Sequence, residues 1–109
     1  MHYLFQTIFR DEYRLIPVQD VFGGMHQLKT NKDIELLIID VDYEPEQSWE
    51  MVQHIKTSKL YDIPVVILTS TNDELVKSKC YDLGIDEVFF KPFNPVDVIA
   101  AVKSLHVNA

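Results

Sequence analysis

Glu35-Leu-Leu-Ile-Ile-Asp40 places four consecutive apolar side chains directly before a carboxylate. An apolar run of this length, with no alternation, suits a strand covered on both faces, and it is too short for an ordinary helix. Two further segments have the same character, Pro64 to Thr69 (PVVILT) and Glu87 to Lys91 (EVFFK). Each is β-branched or aromatic, and each ends on a residue that can do chemistry. Arg14 to Gln19 (RLIPVQ) is a weaker fourth candidate. Its Pro17 cannot donate to a ladder, so it suits a sheet edge.

Between these strands lie helix-length amphipathic stretches. Ser48 can cap a helix carrying Trp49, Met51, Val52 and Ile55. Thr71 or Asn72 can cap the next, with Leu75, Val76, Cys80 and Leu83 turned inward and Gly84 ending it. Asn94-Pro95 reads as a cap followed by proline at the first helical position, ahead of Val98, Ile99, Val102 and Leu105 at helical spacing. A shorter helix is expected from about Gly23 to Lys29. At the amino end, Leu4, Phe5, Ile8, Phe9 and Tyr13 recur in steps of one helical face. Strand-helix alternation of this kind predicts one α/β domain over residues 1–109, with a parallel open sheet between helices on both sides.

The bulk properties agree with a globular chain. It has 109 residues, 47% hydrophobic and 25% charged, enough for one core without staples. No apolar run approaches the roughly 20 residues of a membrane span. A net charge of −7 speaks against a nucleic-acid surface. The single cysteine, Cys80, fits a reducing compartment and reads as a small helix residue. No secretory signal is apparent, so a cytoplasmic location is expected. His2, His26, His54 and His106 are scattered without ligand spacing. Gly23-Gly24 lacks the Gly-Lys-Ser/Thr of a phosphate loop.

Open parallel sheets bind ligands outside the carboxyl ends of their strands. The residues there are Asp40 and Asp42, then Thr69 and Ser70, then Lys91. A carboxylate that can attack phosphorus, a hydroxyl that can contact a phosphoryl oxygen and an ammonium that offsets negative charge form a set suited to phosphoryl chemistry. Singly, each residue is more often a cap or a strand exit. Their coincidence at three successive strand ends is harder to dismiss.

LLIIDVD, VVILTS and VFFKPF together resemble the receiver domain of two-component response regulators, the CheY-like family. The separations, 29 positions from Asp40 to Thr69 and 22 from Thr69 to Lys91, are similar to those of the family. The resemblance implies a flavodoxin-like three-layer α/β/α fold with strand order 2-1-3-4-5. It implies that Asp40 is the phosphoacceptor, Thr69 the switch hydroxyl and Lys91 the phosphate-pairing lysine, with a cis Lys91-Pro92 bond. It also implies magnesium as cofactor and a histidine kinase or phosphotransfer protein as phosphoryl source. A downstream protein partner, or a second copy as a homodimer, would meet segments 72–83 and 95–105.

One part of the family pattern is missing. Its first strand ends in an acidic pair that helps hold the magnesium, and only 39 residues precede Asp40. An ungapped match places residues 1–12 on the first helix and leaves the first strand absent or replaced. Three explanations fit: the sequence starts at an internal methionine of a longer protein, Tyr3 to Phe9 forms a strand in place of a helix, or strands are exchanged between two chains; the first is the expected history. Asp42, where the family uses a backbone carbonyl, could then join Asp40 at the metal. Without the pair, the chain could instead be a degenerate receiver that only binds partners. A more remote reading is a haloacid-dehalogenase-like phosphatase with Asp42 as general acid/base, for which Asp97 is the one later acid offered before the chain ends.

Overall fold

The computed structural model describes residues 2–7 and 13–107. The elements run β1 (His2–Thr7), β2 (Tyr13–Val18), α1 (Val21–Thr30), β3 (Ile34–Asp40), α2 (Pro45–Thr57), β4 (Val65–Thr69), α3 (Glu74–Leu83), β5 (Glu87–Phe90) and α4 (Pro95–Val107). They form one five-stranded sheet in the order β2-β1-β3-β4-β5.

The main correction to the sequence reading is at the amino end. Leu4 and Phe5 lie in a strand, not a helix, and Tyr13 opens the next strand. Ile8 and Phe9 fall outside the described residues. Strand β1 enters the slot between β2 and β3 and pairs antiparallel with both, Leu4 opposite Ile16 on one side and Leu37 on the other. The physical reason is the sheet itself. An empty slot would strand the backbone donors and acceptors of two neighbouring segments, and satisfying them outweighs a helical spacing of five residues.

Because β1 is antiparallel to both neighbours, β2 runs the same way as β3, β4 and β5. Their carboxyl ends therefore share one edge of the sheet. Strand β2 is outermost, where a strand proline such as Pro17 is tolerated.

Successive residues of β3 point to opposite layers. Leu37 and Ile39 join a core with Leu28 of α1, Met51, Val52 and Ile55 of α2, Val65 and Ile67 of β4 and Cys80 of α3. Leu36 and Ile38 join a second core with Val66, Leu68 and, from α4, Val98 and Val102. Three helices thus pack on one face and α4 on the other. Burial pushes the Cys80 thiol pKa up, with Lys79 opposing, in keeping with a core residue.

The helix starts differ in detail from expectation. Helix α2 begins at Pro45, so Ser48 is a buried residue inside it, its hydroxyl donating to the Tyr43 carbonyl at 3.0 Å. Helix α3 is capped by Asp73, which accepts from the Val76 amide at 3.0 Å, rather than by Thr71 or Asn72. Asp20 caps α1 and accepts from the Gly23 amide at 2.7 Å. Gly84 ends α3 at φ 69°, a left-handed conformation that glycine adopts freely. Asn94 accepts from the Val96 amide at 3.0 Å ahead of α4. Leu75 and Ile99, expected inward, are exposed.

Candidate functional site

Three parallel strands deliver the site. Asp40 is the last residue of β3, Thr69 the last of β4, and Lys91 follows β5 directly. Alignment of the strands brings the ends together: Asp40 is level with Leu68, and Thr69 with Phe90. The Lys91-Pro92 bond is cis.

The Lys91 ammonium reaches into the crevice and meets Asp40 Oδ2 at 2.6 Å and Asp42 Oδ2 at 3.2 Å. The Thr69 side chain is buried and donates to Asp42 Oδ1 at 2.8 Å. Two backbone amides join them, Ser70 donating to Asp42 Oδ2 at 2.8 Å and Asp42 itself donating to Asp40 Oδ1 at 2.9 Å. The Thr71 amide donates to Thr69 Oγ1 at 3.1 Å, which fixes the hydroxyl's direction. A cavity of about 320 Å³ adjoins this cluster, lined among others by Val41, Asp42, Trp49 and Thr69.

Electrostatics bind the cluster together. Burial pushes the Asp42 carboxyl up, but hydrogen bonds from Thr69, Ser70 and Lys91 outweigh it and bring its pKa down to about 2. The hydrogen bond to Asp40 holds the Lys91 ammonium above its usual value; burial opposes this, and Asp42 assists. At ordinary pH the site therefore holds Asp42 as a carboxylate and Lys91 as an ammonium.

The loop after β3 has its own constraint. Glu44 sits at φ 53°, ψ 62°, left-handed backbone that a residue with a side chain adopts at a cost, and its carboxylate accepts from the Val21 amide at 3.2 Å. The loop carrying Asp42 is thus anchored at its other end to the start of α1.

Residues 1–103 match the family model described as the response regulator receiver domain. The chain belongs to the receiver family. As such it is a two-component signalling domain, and the sheet described above is the receiver sheet with its first strand replaced. The receiver is 31% identical over 88 residues to the transcriptional activator protein IrlR of Burkholderia pseudomallei, an alignment covering 81% of this chain and 37% of IrlR. It therefore spans well under half the length of that relative. A response regulator from Thermotoga maritima superposes with TM-score 0.71 at 23% identity, covering 84% of this chain and 75% of the other. The Mn²⁺-bound form of the response regulator Rcp1 superposes with TM-score 0.63 at 22% identity, covering 82% and 69%. These two likenesses speak for the fold.

Magnesium, implied by the family, was expected at Asp40 and Asp42. The two carboxylates are brought together, but the Lys91 ammonium lies within hydrogen-bonding distance of both. Asp42 is already committed to Thr69 and Ser70. No third acidic, histidine or cysteine side chain completes a metal-holding group among the described residues. The direction of β1 accounts for this. Its amino-terminal residue His2 pairs with Ile39 near the crevice, while Thr7 pairs with Tyr13 at the far edge of the sheet. The strand that fills the slot contains no acid and runs the wrong way to end there. In this arrangement the residues do not fit a magnesium ion.

The structure brings Asp40, Asp42, Thr69 and Lys91 together, with the Ser70 amide beside them. What sequence reasoning missed is that Asp42, more than Asp40, is the hub: Thr69, Ser70 and Lys91 all donate to it. The available signal was an acid two positions after the strand-end aspartate.

Proposed function

We propose that this domain is a phosphoryl-accepting switch in which Asp40 is the acceptor. The observation that carries the reading is the delivery of Asp40, Thr69 and Lys91 to one point from the ends of three adjacent parallel strands. An Asp40 carboxylate oxygen attacks phosphorus. The bond from phosphorus to the donor's leaving atom breaks, and the leaving group departs with that electron pair. Lys91 offsets the charge on the transferred oxygens, and Thr69 supplies a hydroxyl to one of them.

The natural donor in this reading is a phosphohistidine on a histidine kinase or phosphotransfer protein, in the cytoplasm. Output runs through protein contact at segments 72–83 and 95–105. Leu75 and Tyr81 of α3 and Val96 and Ile99 of α4 are exposed there, as a docking surface or homodimer contact needs. No helix among the described residues is long and apolar enough to cross a membrane.

The phosphatase reading is weaker. A general acid must hold a proton near its working pH, and Asp42, at about 2, does not. The binding-only reading is favoured by the missing acidic pair, and one experiment separates it from the switch. Acetyl phosphate followed by intact mass measurement is expected to add one phosphoryl group to the wild-type chain and none to Asp40→Asn. A chain left unmodified both as wild type and as Asp42→Ala would leave the binding-only module. Parallel samples with magnesium and with EDTA measure whether the ion competes with Lys91 for Asp40 and Asp42.

A further inference from the structure

We propose that Asp42 is an internal occupant of the phosphoryl-binding donors and thereby sets how readily Asp40 is modified. The inference rests on the acceptor reading of Asp40. What the three donors suit and what they hold do not match. A hydroxyl (Thr69), a backbone amide (Ser70) and an ammonium (Lys91) arriving from two strand ends suit a multiply charged oxyanion. Here all three serve one carboxylate, at 2.8, 2.8 and 3.2 Å.

That carboxylate is placed to compete. The ammonium 2.6 Å from Asp40 Oδ2 is the same one that contacts Asp42 Oδ2. A phosphoryl group bonded to Asp40 would carry about 1.5 to 2 negative charges into donors already neutralised by Asp42. Like charges this close in a partly buried crevice repel strongly. Uptake of the phosphoryl group therefore requires Asp42 to release Thr69, Ser70 and Lys91. In the resting state Thr69 is already directed toward the acceptor end of β3, with Asp42 as its partner.

A purely structural role for Asp42, tying its loop to β4, makes the opposite prediction. Asparagine would keep the tie and behave like wild type, whereas alanine would loosen the site and slow modification. Under the competition proposed here, removing the charge is what matters. Asp42→Ala is expected to be modified by acetyl phosphate at least about tenfold faster than wild type, and Asp42→Asn also faster, by a smaller factor. In ¹H–¹⁵N spectra the Ser70 amide proton is expected to move upfield in Asp42→Ala, while the dispersion elsewhere shows that the fold persists. Asp40→Asn/Asp42→Ala serves as the unmodified control.

Modification of wild type at a rate that Asp42→Ala and Asp42→Asn do not exceed would overturn the competition and leave Asp40 as acceptor. A Ser70 amide unmoved by Asp42→Ala would overturn it too. Modification of none of the three proteins would remove the acceptor reading, and the competition with it. Modification of the variants alone would support both.

Discussion

The sheet is built in two different ways on either side of β3. Toward β4 and β5 the neighbours are parallel, each delivers its carboxyl end to the crevice, and Asp40, Thr69 and Lys91 meet there. Toward β1 the neighbour is antiparallel, and its amino end arrives at the crevice instead. Backbone pairing is indifferent to this choice, since a strand of either direction satisfies its neighbours' donors and acceptors. Chemistry is not indifferent. Strand direction decides which residue reaches the functional edge, so β1 repairs the ladder without rebuilding the acidic pair.

The largest effect is expected from breaking the repaired side. Leu4 is paired to strands on both sides. Proline there removes a ladder donor in the sheet interior and leaves a neighbouring acceptor unpaired, which is expected to destabilise the domain by about 1–3 kcal/mol. Urea denaturation followed by circular dichroism measures this; a midpoint equal to wild type would show that β1 does not hold the sheet together.

The crevice side breaks more gently. Lys91→Met leaves Asp40 and Asp42 facing each other without their cation. Magnesium is then expected to bind on the order of tenfold more tightly than to wild type. Trp49, which lines the adjoining cavity, reports this by fluorescence titration. Equal magnesium affinity in the two proteins would show that Lys91 does not hold the cation's place.

The smallest expected effect depends on pH. The folded pKa of Asp42 is depressed from 3.8 to about 2, so its contribution to stability is present above 3.8 and is lost as pH falls toward 2. Lys91 is raised above 10.5, so its contribution is full below that value and is lost as pH rises through the folded one. Asp42→Asn is expected to lower the urea midpoint at pH 7 and to narrow the difference from wild type by pH 2.5. An Asp42→Asn midpoint matching wild type at pH 7 would show that the hydrogen bonds, not the charge, tie the loop.

Most of the parallel half was legible in the sequence. ELLIID, PVVILT and EVFFK are short, apolar and closed by reactive residues, as strands under helices are, although β5 lies at the sheet edge and is only half-buried. The amino end was ambiguous because HYLFQTIF carries aromatic and β-branched residues that suit a strand and a spacing that suits a helix. The deciding factor, an empty slot between two distant segments, is not local. Helix starts failed where capping residues cluster. Thr71, Asn72 and Asp73 are all competent caps, and at α2 the proline at position 45 set the start three residues ahead of Ser48. Asp42 was seen as a strand-end acid, but its three donors come from residues 27 to 49 positions away, and only the folded sheet brings them there.

Glu44 occupies a backbone conformation in which glycine would be at ease, yet its carboxylate is what clasps the Val21 amide. Relaxing the turn by glycine substitution and keeping the clasp are therefore mutually exclusive. The β3–α2 loop is in effect a short beam fixed at both ends, by Asp42 on the β4–β5 side and by Glu44 on the α1 side.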